Sequence, residues 1–130
     1  MSVARPKLAL ELEHGRNVFE PGGRVAGVAS WSAPAAPRGI ELRLSWSLVG
    51  HGGRDWKIAE TLPLPQPQAA ERRPFLLTLP LSPYSFQGTL LRLTWTLELV
   101  ALPGEEKTGV GLVVAPGNQV IDLRPTPTRL

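Results

Sequence analysis

Cysteine is absent from this chain, so there is no disulfide, no thiol nucleophile and no thiolate zinc or iron–sulfur site. Histidine is scarce: His14 and His51 are the only two, far apart and both in loop-like sequence. No G-x-S-x-G elbow accompanies either, so no hydrolase triad is assembled. Aspartate occurs only at Asp55 and Asp122, and no cluster of acids suggests a calcium or magnesium site. Long apolar runs are missing too. Nothing reaches the roughly 18–20 residues of a membrane-spanning helix, and the N-terminus lacks a signal-like apolar core. A cytoplasmic protein with no cofactor, no metal and no catalytic centre is the expectation.

Charge is mixed. Fourteen Lys and Arg stand against eleven Asp and Glu, a net charge of +3, with no basic block. That pattern reads as a solvated surface and not as a nucleic-acid footprint. Arg far exceeds Lys, loop prolines are many and Met is nearly absent, which leans towards a heat-stable protein. At 130 residues the chain is expected to form one domain, 1–130, with 124–130 a tail or linker.

What is abundant is turn signal and alternation. Fourteen Pro and thirteen Gly punctuate the chain at intervals. Between them apolar residues alternate with period two, the mark of half-buried strands. Leu8, Leu10 and Leu12 share a face. Val25, Gly27, Ala29 and Trp31 share another, with Gly27 pointing to close approach of a neighbour or a bulge. Ile40, Leu42, Leu44, Trp46 and Leu48 alternate with polar residues, as do Leu91, Leu93, Trp95, Leu97 and Leu99. Further strands are expected over 56–62, 73–81, 107–115 and 120–123. Glu60 breaks the apolar phase of the fourth strand, and Pro63, Pro65 and Pro67 place the segment they occupy at an edge or beyond it. Glu20-Pro21-Gly22-Gly23 and Pro103-Gly104-Glu105-Glu106 are turns. No segment has helical periodicity. Seven or eight one-sided strands need a second sheet to cover them, which predicts an all-β fold: an immunoglobulin-like two-sheet antiparallel β-sandwich.

Leu79-Pro80…Pro83-x-Ser85-Phe86-x-Gly88, followed by a long alternating strand, resembles the N-terminal domain of the arrestin family. Phe19-x-Pro21-Gly22-x-x-Val25-x-Gly27, the strand from Ile40 to Gly50 and the closing Val120-Ile121-Asp122-Leu123 resemble it in the same order. The resemblance covers about residues 8–123. It implies a sandwich that binds other proteins. Eukaryotic members are adaptors, and bacterial relatives include sporulation-control proteins. A full arrestin has two such domains and many adaptors carry PPxY motifs. Neither a second domain nor that motif is seen here, so this chain is either a single-domain, bacterial-type relative or half of something longer. Within the signature, Pro83, Ser85, Phe86 and Gly88 have structural roles: a preset turn, a side-chain bond to a nearby backbone amide, a core anchor and a corner without a Cβ.

Two functions stand as expectations. The first is a non-enzymatic protein-interaction or scaffold module that binds a protein partner through an unpaired edge strand, or through the loop pole around His51, Arg54 and Trp56. Self-association through edge strands stands on the same ground. The second is a carbohydrate-binding sandwich, which requires Trp31 and Trp56 exposed on one surface.

Overall fold

Apolar–polar alternation becomes strand at each of the long periodic stretches. A computed structural model describes residues 5–50, 53–88, 90–118 and 121–122. In chain order the strands are β1 (Lys7–Leu12), β2 (Val18–Phe19), β3 (Arg24–Ser32), β4 (Gly39–Gly50), β5 (Gly53–Leu64), β6 (Ala70–Thr78), β7 (Phe86–Gln87), β8 (Leu91–Leu102), β9 (Glu106–Val114) and β10 (Ile121–Asp122). The seven strands of six residues or more match the expected number. The two-residue strands β2 and β7 were not expected, because two residues are too few to leave a periodic signal. The expected 120–123 strand is described only at 121–122, and the tail 124–130 lies outside the described residues.

One sheet has three antiparallel strands in the order β1-β3-β6. The other is built on β8. Strand β4 pairs with it from Gly39 opposite Leu102 to Gly50 opposite Leu91, and β5 lies beyond β4. On the other side β9 pairs with residues 95–101, and β7 pairs with Arg92 and Leu93. Both β2–β9 and β10–β7 are parallel, so this sheet is mixed and not purely antiparallel. Pro63 in β5 and Pro74 in β6 both fall on edge strands, where a missing ladder donor is tolerated.

The core lies between the sheets. Val25, Ala29, Trp31, Phe75 and Leu77 come from one side; Ile40, Leu42, Leu44, Trp95, Leu97, Leu99, Leu112 and Val114 come from the other. Each large aliphatic side chain withdrawn from water there contributes about 1.5–3 kcal/mol before entropy is counted. Gly27 shows the close approach expected of it: a Cβ there would collide with the Glu11 carbonyl and the Phe75 ring. The turn before β3 has Gly22 at φ +74°, and the Gly23 N–H donates to the Glu20 carbonyl at 2.9 Å.

The sheets are unequal. β4, β5 and β8 have twelve residues each, whereas β3 and β6 have nine. The buried run on β4 ends at Leu44. Trp46 and Leu48 are half-buried against the core, and Leu91, expected inside, is 47% exposed. The β4–β5 hairpin and the start of β8 therefore overhang the smaller sheet.

Candidate functional site

The overhang makes β5 unusual. It is the outer strand of its sheet, paired with β4 alone, and every residue from Gly53 to Thr61 is exposed. Its register with β4 shifts once. Leu44 faces Glu60 and Ser45 faces Ile58, which leaves Ala59 as a bulge. Glu60 sits next to this bulge. Leu64, Leu62 and Glu60 follow the core-facing phase of Ile40, Leu42 and Leu44. Beyond Ala59 the assignment inverts, so Arg54, Trp56 and Ile58 turn to the outer face with Val49, Ser47 and Ser45. Trp56 is 65% exposed and Ile58 38%.

On that outer face the sheet is floored by small polar side chains. A shallow groove of about 380 Å³ is lined by Ser45, Ser47, Arg54, Trp56, Thr96, Glu98 and Lys107. Ser47 and Thr94 share a hydroxyl–hydroxyl hydrogen bond of 3.0 Å, and Lys107 Nζ lies 3.6 Å from Glu98. Further along, the Arg43 guanidinium is held by Glu41 at 3.1 Å and Glu105 at 3.2 Å; the hydrogen bond it donates to Glu41 leads in raising its pKa.

Arg54 and Trp56 thus sit together at the exposed edge. His51, the third residue of the expected loop pole, lies outside the described residues. Trp31 is elsewhere and buried, at 3% exposure. Its Nε1 donates to the Gln68 carbonyl at 2.7 Å. The carbohydrate alternative required Trp31 and Trp56 on one open surface, and that pair does not form. Trp31 is in phase with Val25 and Ala29, so core packing claims it.

Over Trp31 lies a charged pair that the sequence did not signal. Glu71 and Arg73 occupy the inward phase of β6, opposite Trp31 and Ala29. Arg73 Nε donates to Glu71 Oε2 at 2.8 Å and Nη1 to the Pro65 carbonyl at 2.7 Å, with the guanidinium 5.7 Å from the Trp31 ring centroid. The Gln68 N–H, 3.1 Å from Glu71 Oε1, and then Arg73 hold the Glu71 carboxyl below its usual pKa. Inward charge and Pro74 blunt the β6 edge. The bulge and Pro63 blunt only the distal half of β5, leaving Gly53–Ile58 open.

The signature corner makes its contacts within the fold. Ser85 is buried, with its N–H bonded to the Val114 carbonyl at 2.7 Å and its Oγ accepting from the Val114 N–H at 3.0 Å. Trp95 Nε1 donates to the Pro83 carbonyl at 2.9 Å. Phe86 packs half-buried against the core, and the Gly88 N–H reaches the Leu91 carbonyl at 2.8 Å. Among the described residues no three His, Asp or Glu side chains gather as a metal site would need, and no helix is long and apolar enough to cross a membrane.

These features define an arrestin-like β-sandwich in which the outer strand β5 offers an open edge. Among solved structures it is similar to Spo0M, the sporulation control protein of Bacillus subtilis: TM-score 0.63, 20% identity, covering 87% of this chain and 50% of that one. The likeness is one of fold, and the chain spans about half the length of Spo0M. A Pseudomonas fluorescens alkylpurine DNA glycosylase, AlkC, bound to DNA containing an abasic site analogue aligns at TM-score 0.44 and 13% identity, over 86% of this chain and 31% of AlkC. That score is too low to bear on fold or function. No protein-family model and no curated protein matches the chain.

Proposed function

We propose that this chain is a non-enzymatic protein-interaction module, a single sandwich domain working in the cytoplasm, that binds a partner's extended segment along β5. The supporting observation is the exposed, one-sided strand Gly53–Ile58 with Trp56 and Ile58 projecting beside it. Backbone N–H and C=O groups on such an edge give affinity, and the flanking side chains give selectivity. A regulatory relative by fold, Spo0M, accords with a binding role.

The test compares captures from host extract. Bait proteins are the wild type, a Trp56→Lys/Ile58→Lys double variant that charges the edge, and Leu76→Lys, an equally exposed position on the outer face of β6. Proteins retained by wild type and Leu76→Lys but lost from the double variant support the reading. The same captures from all three baits overturn it.

A further inference from the structure

The open half of β5 is self-complementary. Around Trp56, Asp55 and Lys57 are the immediate neighbours, and Arg54 and Ile58 come next. In an antiparallel pairing about a two-fold axis at residue 56, Asp55 of each copy faces Lys57 of the other. Arg54 faces Ile58, and Trp56 faces its own mate. The pleat keeps these sets apart. Trp56 lies on the outer face with Ser47, whereas Asp55 and Lys57 follow Leu48 and Trp46 on the opposite one. Asp55 and Lys57 are exposed, and among the described residues neither takes part in an ion pair.

We propose that the partner at this edge is a second copy of the chain, paired antiparallel through β5 about an axis at Trp56. This rests on β5 being the binding edge.

Neighbouring registers are worse. An axis at Asp55 or at Lys57 sets that charge against itself, and an axis between two neighbouring residues of 53–58 would oppose side chains that lie on different faces, which a two-fold strand pair does not allow. The charge-matched alternative, Lys57 against Glu60, centres on the Ala59 bulge, where the ladder is already broken, and brings Pro63 into the pairing. With the axis at Trp56, Ala59 falls opposite Gly53, so the bulge ends the overlap. Residues 60–64 of each copy then run past the other's hairpin, and Pro63 is not asked to donate. The overhang lets this happen with the two smaller sheets at opposite ends of the joint.

Sedimentation velocity on the purified chain over rising concentration tests this, with Asp55→Lys and Lys57→Asp as variants. Each variant alone places like charges opposite one another, and its dimer is expected to be at least about tenfold weaker than the wild type's. Mixing the two variants restores opposite charges at both contacts, so a heterodimer of near wild-type strength should form. The Asp55→Lys/Lys57→Asp double variant should pair with itself. A wild type that stays monomeric at ~500 µM, which leaves at most pairing of about millimolar strength or weaker, overturns the proposal. So does a dimer that survives in the unmixed variants, or a mixture that gains nothing. A monomeric wild type whose Trp56→Lys/Ile58→Lys variant still loses a host partner discards self-pairing and leaves the edge reading standing; failure of both experiments discards both.

Discussion

Ser85 and Val114 hold each other through two hydrogen bonds: the Ser85 N–H donates to the Val114 carbonyl at 2.7 Å, and the Val114 N–H donates to Ser85 Oγ at 3.0 Å. This pair fastens the corner before β8 to the end of β9, 29 residues away in sequence. Ser85→Ala strands a buried N–H on Val114, a residue with no exposed surface. The expected loss is about 1–3 kcal/mol, read as a lower urea midpoint. An unchanged midpoint would show that the hydroxyl is dispensable.

The two central tryptophans should differ. Trp95 is buried, with its indole nitrogen satisfied by the Pro83 carbonyl. Trp95→Ala should cost about 3–5 kcal/mol. Trp46 sits where the overhang begins and is only half-buried. Trp46→Ala should cost clearly less, roughly 1–3 kcal/mol. Equal losses in denaturant melts would mean that the smaller sheet covers both.

Gly27 and Gly111 make a matched pair of strand glycines. At Gly27 a Cβ meets the Glu11 carbonyl and the Phe75 ring, so Gly27→Ala must push β1 or Phe75 aside at about 1–3 kcal/mol. At Gly111 a Cβ meets nothing within 4 Å, and Gly111→Ala should change stability by no more than about 0.5 kcal/mol. Thermal melts of both variants distinguish a crowded site from a general glycine effect.

Glu71 gives the stability curve an acid limb. Its folded pKa lies below the unfolded value of 4.5 because the Gln68 N–H and Arg73 favour the carboxylate. The unfolded chain therefore takes up the proton first as pH falls. Glu71 stabilises the fold above pH 4.5, and that contribution is lost as pH drops through the folded pKa. Glu71→Gln should flatten this limb. The urea midpoints of wild type and variant should differ most near neutrality and converge in acid; parallel curves would show that Glu71 contributes no linkage.

The long strands were legible because β4 and β8 each bury one face, which imposes period two along most of their length. Ser85 was legible as a residue that bonds a backbone amide, but that amide belongs to Val114, 29 residues away, and not to a near neighbour in the turn. Three things were not legible, each for a physical reason. Glu71 and Arg73 point inward at an edge strand, where they close the open side over Trp31, so they read as ordinary polar residues. The outward turn of Trp56 depends on the bulge at Ala59, and a one-residue insertion inverts a strand's faces without altering its composition. The exposure of Leu91 depends on how far the smaller sheet reaches, which no residue in β8 encodes. Arg54 and Trp56 were named as a loop pole beside His51, whereas the structure places both within β5 at its open edge, and the packing of β3 separates Trp31 from them.

Amide hydrogen exchange across Gly53–Ile58, comparing the dilute free chain with its associated form, self-paired or bound to a captured partner, tests the β5 edge most directly. Slower exchange confined to this segment, with the β6 edge at 70–78 unchanged, is the expected result. Exchange in Gly53–Ile58 that is the same in both states, with protection arising on another surface, would contradict it.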